Sequence, residues 1–130
     1  LFSRSSDFTN PTQRYPAANQ TTQTQLLVVD VELHDIPLRV MVTHGPACDH
    51  TPTKIAHYEK VLKEMSALLQ ADTASNARPR KHLWLADHNM VCDPANDERN
   101  TSGSRGGRYF DLITAVRDIE DLIGVRDAYT

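Results

Sequence analysis

Apolar residues in the first third of the chain form two short runs that predict a β-hairpin. Residues 26–33 (LLVVDVEL) and 38–43 (LRVMVT) are rich in β-branched side chains and are bounded by polar residues, as strands commonly are. Between them, residues 34–37 (HDIP) indicate a turn, because Pro37 has no N–H to donate to a neighbouring strand. The short gap predicts that the two strands pair antiparallel.

Farther along, apolar positions that step by three and four predict two amphipathic helices. The first is expected over residues 54–70 with Thr53 as its cap, and the second over 109–122, with Gly124 as its C-terminal glycine. The apolar positions of the first helix are Ile55, Tyr58, Val61, Leu62, Met65, Leu68 and Leu69, and those of the second are Phe110, Ile113, Val116, Ile119 and Ile123.

A third apolar run, residues 82–86 (HLWLA), predicts a strand after the first helix, with Trp84 as a core residue. Strand, helix and strand in that order favour a right-handed βαβ unit with parallel strands. The expected fold class is therefore α/β, with one small sheet and helices packed on it.

The remaining segments are polar and indicate irregular chain. Residues 1–25 are rich in Ser, Thr, Asn, Gln and Pro, so we expect an irregular or disordered tail there. Residues 90–107 are expected to form a long loop. A single unit would then cover residues 26–130. The absence of an initiator methionine and of a helix-ending signal at Thr130 favours a piece of a larger domain.

Composition gives the chain no general attraction to nucleic acid or membranes, so any nucleic-acid contact would need a local basic patch. The chain has 130 residues and a net charge of −3, so no overall positive charge draws it to nucleic acid or to anionic membranes. No apolar run approaches the roughly 20 residues needed to cross a bilayer. Two cysteines, Cys48 and Cys92, are interpreted as reduced thiols of an intracellular protein.

Candidate chemistry lies where two predicted strands end. One strand runs into His44 and the other into Asp87 and Asn89, and ligands gather beyond the carboxyl ends of strands in open α/β sheets. An aspartate there can orient or deprotonate water, while an amide and an imidazole can hold phosphate oxygens. Strand alternation predicts that Asp87 and Asn89 point the same way. The alternative is an ordinary turn in which both side chains bond to their own backbone.

Scattered histidines and cysteines do not change that hypothesis. His44, Cys48, His50, His88 and Cys92 match none of the paired spacings typical of zinc sites. The basic cluster at residues 78–81 (RPRK) is a possible phosphate contact, although such clusters are usually solvated surface.

Several of these features occur together, in the same order, in one known superfamily. They are His44-Gly45-Pro46 at a strand end, an amphipathic helix, Ala86-Asp87-His88-Asn89 at a second strand end, PAND at 94–97, and VRDAY at 125–129. Over residues 26–130 the chain resembles the endonuclease/exonuclease/phosphatase superfamily, most of all the endonuclease domain of non-LTR (LINE-type) retrotransposons. The family pattern there is Tyr-x-Pro, helix, Gly-Asp-Phe-Asn, Pro-x-x-Asp and Leu-x-Asp-x-Tyr/Trp.

The resemblance implies a role for each of three residues. Asp87 would position or deprotonate the attacking water, Asn89 would contact the scissile phosphate, and His44 would occupy the place of a phosphate-contacting tyrosine. Two further departures are Ala86 in place of glycine and His88 in place of phenylalanine. The family's early asparagine and metal-binding glutamate have no counterpart before residue 26, and its Ser-Asp-His would lie beyond Thr130.

As a whole, the resemblance implies a central fragment of an endonuclease/exonuclease/phosphatase-like α/β sandwich, from a Mg2+-dependent DNA endonuclease. We expect this fragment to be inactive alone, with the missing parts of the domain and DNA as partners and no membrane. The parent would be intracellular, and nuclear if it is a retroelement product. Two alternatives stay open: a catalytically dead remnant of the fold, and a family phosphatase acting on a small phosphorylated molecule or lipid.

Overall fold

A four-stranded sheet and two helices make up the part of the chain that the structure describes. The structure is a computed structural model that describes residues 7–17, 25–46, 51–89 and 107–126, with side chains from 110 onward in the last segment. The elements are β1 (Phe8–Tyr15), β2 (Leu26–Leu33), β3 (Ile36–His44), α1 (Thr51–Ala74), β4 (Lys81–Asp87) and α2 (Gly107–Ile123). The strand order is β1-β2-β3-β4. Strands β1, β2 and β3 pair antiparallel, and β3 and β4 pair parallel. The α/β fold class is confirmed at this general level.

The predicted hairpin is present as β2 and β3. A two-residue turn at His34 and Asp35 joins them, and both residues have positive φ (48° and 66°), as the tight turns of hairpins require. The prediction that Pro37 breaks the pairing is wrong, because β3 begins at Ile36 and Pro37 lies opposite Glu32. A proline is tolerated so close to the start of a strand.

Strand β1 lies where the sequence predicts only irregular chain, so that prediction is wrong for Phe8–Tyr15. Residues 1–6 and 18–24 of the expected tail lie outside the described residues. The strand is polar because it lies at the edge of the sheet, where only one side of its backbone needs a partner. Its pairing with β2 is irregular between Thr9 and Thr12, next to Asn10 with a φ of 52°.

Helix α1 is longer than predicted. It begins at Thr51, two residues before the expected cap at Thr53, and continues to Ala74. Its buried apolar side chains, Tyr58, Val61 and Met65, belong to the predicted set. They pack against Leu26, Val28 and Met41 on one face of the sheet.

Helix α2 buries three of the five predicted apolar positions, Val116, Ile119 and Ile123, and adds Leu112 to them. Phe110 is 60% exposed, whereas Leu112, Val116, Ile119 and Ile123 are buried in the core. The buried positions step by four, three and four, and Phe110 lies two residues before Leu112, which places it on the opposite side of the helix. The predicted C-terminal glycine is confirmed, since Gly124 has a φ of 73° and the Val125 N–H donates to Glu120 O at 3.0 Å.

Charged side chains are buried between the sheet and α1. Arg39 donates to both oxygens of Asp30 (2.7 and 2.9 Å) and to Asp72 on α1 (2.8 Å). Arg14 on β1 (2.9 Å) and Arg80 (3.3 Å) also pair with Asp30. Burial alone would raise the pKa of Asp30, but the bonds and charges of these arginines outweigh it and hold that pKa below its ordinary value. The cluster therefore ties together three strands and α1.

Candidate functional site

The carboxyl ends of β3 and β4 meet at one end of the sheet. His44 and Asp87 are opposite each other in the parallel register, and the Gly45 N–H donates to Asp87 O at 2.6 Å, which continues the pairing beyond both strands. The two side chains are 56% and 66% exposed, and His44 Nε2 lies 3.7 Å from Asp87 Oδ2. An imidazole and a carboxylate are thus presented together to solvent.

Asn89 completes this rim, which we define as His44, Asp87 and Asn89. Its Nδ2 donates to Gly45 O at 2.7 Å and lies 3.2 Å from His44 Nε2. Asp87 and Asn89 both face His44, as predicted, but strand alternation is not the reason, because β4 ends at Asp87 and Asn89 is left-handed, with a φ of 49°. A turn, rather than a strand, brings the amide to the imidazole.

That turn is the one that the alternative interpretation expects. The Asn89 N–H donates to Asp87 Oδ1 at 3.0 Å, which is the local bond of an Asx turn. It uses one carboxylate oxygen. The other oxygen, Oδ2, faces His44. The turn interpretation therefore applies to Oδ1 of Asp87, and the functional interpretation applies to Oδ2. The ordered turn holds the exposed Oδ2 in place.

A buried lysine donates a hydrogen bond to the backbone of the rim. Lys54 in the first turns of α1 is 8% exposed, and its Nζ donates to Asn89 O at 2.5 Å. Sequence reasoning missed this residue. A signal was present, because Lys54 precedes Tyr58, Val61 and Met65 at the steps of four, three and four that define the buried stripe. A lysine on such a stripe needs a polar partner inside the fold.

Tyr58 and His88 form a second support that sequence reasoning missed. The Tyr58 hydroxyl lies 2.7 Å from His88 Nδ1, and the His88 ring packs edge-on against Trp84 at 5.2 Å between centroids. The polar ring at position 88 therefore takes part in packing, with its Nδ1 bonded. Trp84 is half-buried against the core, as predicted, and donates to Thr43 Oγ1 at 2.8 Å.

A glycine is required at position 45 because the chain there lies very close to His88 and Tyr58. A Cβ at this position would lie 2.5 Å from His88 O and 3.0 Å from the Tyr58 hydroxyl. The contact with the His88 backbone is shorter than atoms tolerate, so only glycine lets the chain after β3 lie against the chain after β4 without a shift.

One neighbouring histidine is poorly suited to carry charge. Burial, and then the charges of His88 and His44, lower the pKa of His57 below its ordinary value. Its buried Nε2 has no hydrogen-bond partner among the described residues. A neutral ring at this position leaves Lys54 as the buried cation next to Asn89.

The basic cluster at residues 78–81 lies away from the rim. It precedes and begins β4, whereas Asp87 ends that strand, so the two are roughly 20 Å apart at 3.3 Å per residue. Arg80 is also engaged with Asp30 and with Val31 O. The other residues considered at the sequence level, Cys48, His50, Cys92 and the 94–97 and 127–129 motifs, lie outside the described residues.

The fit of the rim to Mg2+ is incomplete. A hard cation takes several oxygen ligands, and the rim supplies the Asp87 carboxylate and the Asn89 amide oxygen. Within residues 7–17, 25–46, 51–89 and 107–126, no group of three or more His, Cys, Asp or Glu side chains could hold a metal ion. The described residues alone do not make the magnesium site that the resemblance implies.

Comparison of the chain with protein-family models, curated proteins and solved structures finds no match. Among the described residues, neither helix is long and apolar enough to cross a membrane.

Proposed function

We propose that the rim binds a phosphodiester of DNA and that the chain contributes to phosphodiester cleavage of the kind performed by retrotransposon endonuclease domains. The observation that carries the proposal is the register pairing of His44 with Asp87 at the ends of parallel strands, with the Asn89 amide against the imidazole. A carboxylate, an amide and an imidazole are the groups that water activation and phosphate binding need.

Each rim residue has an atom suited to its part. Asp87 Oδ2 is exposed and can orient a water molecule, while Oδ1 remains in the turn. The side-chain N–H of Asn89 that faces His44 can donate to a phosphate oxygen instead. The other N–H of the same amide keeps its bond to Gly45 O. His44 Nε2, once protonated, can donate to the same phosphate.

The charge below the rim favours the same ligand. Lys54 places an ammonium group on the carbonyl of Asn89, beneath the exposed face of the rim. Its field partly offsets the carboxylate of Asp87, which would otherwise repel a phosphate. Magnesium is implied by the resemblance alone.

A second candidate, a remnant that binds phosphodiesters without cleaving them, is favoured by one observation. The described residues supply a single carboxylate to the rim, and one oxygen of that carboxylate already accepts the hydrogen bond of the turn. Binding and cleavage must therefore be measured separately.

The test uses a 15N-labelled chain and a short DNA duplex with Mg2+, alongside nicking of supercoiled plasmid. We expect amide shifts at Gly45, Asp87 and Asn89, and a loss of affinity of roughly 5-fold or more in Asn89→Ala, because a phosphate bond contributes about 1–2 kcal/mol. Asn76→Ala, an asparagine exposed in a turn at the other end of α1, is the matched control.

Nicking separates the two candidates. Cleavage that disappears in Asp87→Asn and persists in Asp118→Asn, an exposed aspartate of α2, would support the nuclease. Rim-specific binding without nicking by this chain is expected of both candidates, because the fragment is expected to be inactive alone. Nicking by a version of the chain extended at both ends, lost on Asp87→Asn, would then support the nuclease, and its absence would support the remnant. A duplex that shifts no rim amide would overturn both.

A further inference from the structure

Strand β4 is an edge of the sheet. Its backbone pairs with β3 on one side, and no strand within the described part of the chain pairs with its other side. An exposed strand edge carries unpaired N–H and C=O groups and is a template for another strand.

The surroundings of this edge leave room for an added strand. A cleft of about 830 Å³ runs along residues 82–86 and is bounded on the helix side by Gly124, Val125 and Arg126. On the opposite face of the sheet, Leu85 is 44% exposed and Leu83 lies beside it. A strand laid along β4 would cover both leucines.

The charges of β4 are arranged so that the strand complements itself. Lys81 is its first residue and Asp87 its last, and the alternation of a strand places both on the same face as Leu83 and Leu85. An antiparallel copy of the same strand centred on Trp84 would place Lys81 opposite Asp87, and Leu83 opposite Leu85. If the two copies of β4 were instead centred on residue 83 or 85, Lys81 would no longer lie opposite Asp87 and both ion pairs would be lost. A shift of one residue in register would place the leucines of the two copies on opposite faces of the sheet.

We propose that two copies of this chain associate through β4, antiparallel and symmetric about Trp84, to form one continuous eight-stranded sheet. The contact is isologous, so each ion pair and each leucine pair occurs twice. Each rim then receives Lys81 of the other copy beside its own Asp87. The dimer and the proposed function share Asp87, but the association itself requires no phosphate and no catalysis.

The test follows the association of the full chain by sedimentation and by fluorescence. Trp84 is the single tryptophan and lies at the symmetry centre, so its emission should shift to shorter wavelength as dimer forms with rising concentration. Lys81→Asp and Asp87→Lys should each raise the dissociation constant roughly 10-fold, because each turns two attractive pairs into two repulsive ones. The double variant Lys81→Asp with Asp87→Lys should return to within about 2-fold of the original, since both pairs are restored in reverse.

A matched pair of leucine variants locates the interface. Leu85→Lys on the edge strand should weaken the dimer, and Leu27→Lys, at a similarly exposed position (39%) on the interior strand β2, should leave it unchanged. Circular dichroism checks that each variant is folded. A chain that stays monomeric at all concentrations, a double variant as weak as the two single ones, or dissociation by Leu27→Lys instead of Leu85→Lys would each overturn the edge-to-edge dimer.

Discussion

Lys54 shows how a single buried side chain can fix the conformation of a candidate site. It donates to the carbonyl of Asn89, and that residue holds a left-handed φ of 49° while its side chain bonds Gly45 and faces His44. A non-glycine residue in this region is strained unless its surroundings hold it. The bond from Lys54 is one of the contacts that do so.

Removal of that bond should disturb the rim before it disturbs the fold. In Lys54→Met, we expect the side-chain amide and backbone resonances of Asn89 to shift, and stability to fall by about 1–3 kcal/mol, because a part-buried carbonyl loses its donor. Lys60→Met on the exposed side of the same helix is the control, and it should change neither. Equal spectra for the two variants would show that Lys54 has no positioning role. Two-dimensional NMR and urea unfolding measure both effects.

At the scale of elements, the rim depends on how closely the ends of β3 and β4 approach. Gly45 allows this approach, since a Cβ there would lie 2.5 Å from His88 O. Gly124 is a contrasting case at the end of α2, with open space around its Cα but a φ of 73°. One glycine is required by space and the other by backbone conformation.

The two glycines should therefore respond differently to alanine. Gly45→Ala must displace the chain at His88, and we expect a loss of about 1–3 kcal/mol together with shifts of the Asn89 resonances. Gly124→Ala should cost about 1 kcal/mol through its left-handed backbone and leave those resonances in place. The comparison fails if both variants leave the rim untouched, or if both move it. Urea unfolding measures the loss of stability in each variant, and amide spectra show whether the Asn89 resonances move.

Apolar periodicity in the sequence predicts the elements that bury apolar side chains, but not those held by polar contacts. Apolar periodicity correctly predicts β2, β3, β4, both helices and the meeting of His44 with Asp87 at one end of the sheet. It fails for β1, because a polar edge strand is stabilised by pairing and by the bond of Arg14 to Asp30, and neither leaves an apolar pattern. The Tyr58–His88 contact was missed for a similar reason, since it joins residues 30 positions apart. Lys54 lies on the apolar stripe, but no pattern marks its partner Asn89, 35 positions away.

At the scale of the whole molecule, buried titratable groups couple the fold to pH. The pKa of Asp30 is held below its ordinary value, so its contribution to stability is present above about pH 4 and is lost as the pH falls through its folded pKa. Burial, and then the charge of Arg39, lower the pKa of His82. For this histidine the unfolded chain binds the proton more readily, so stability is lost as the pH falls below about 6.5. His57 acts in the same direction.

We therefore expect the free energy of unfolding to rise between about pH 5 and pH 7, and His82→Gln to flatten part of that rise, because it removes one group that the folded state holds neutral. The buried Nε2 of His82 has no hydrogen-bond partner among the described residues, so protonation there gains no bond. His34→Gln is the matched variant, since His34 is exposed in the β2–β3 turn and the same His-to-Gln change there does not alter a buried position. Urea unfolding of the three proteins at half-unit pH steps measures the slopes. A flat profile for the parent chain, or the same slope in His82→Gln as in His34→Gln, would show that the proton linkage lies elsewhere.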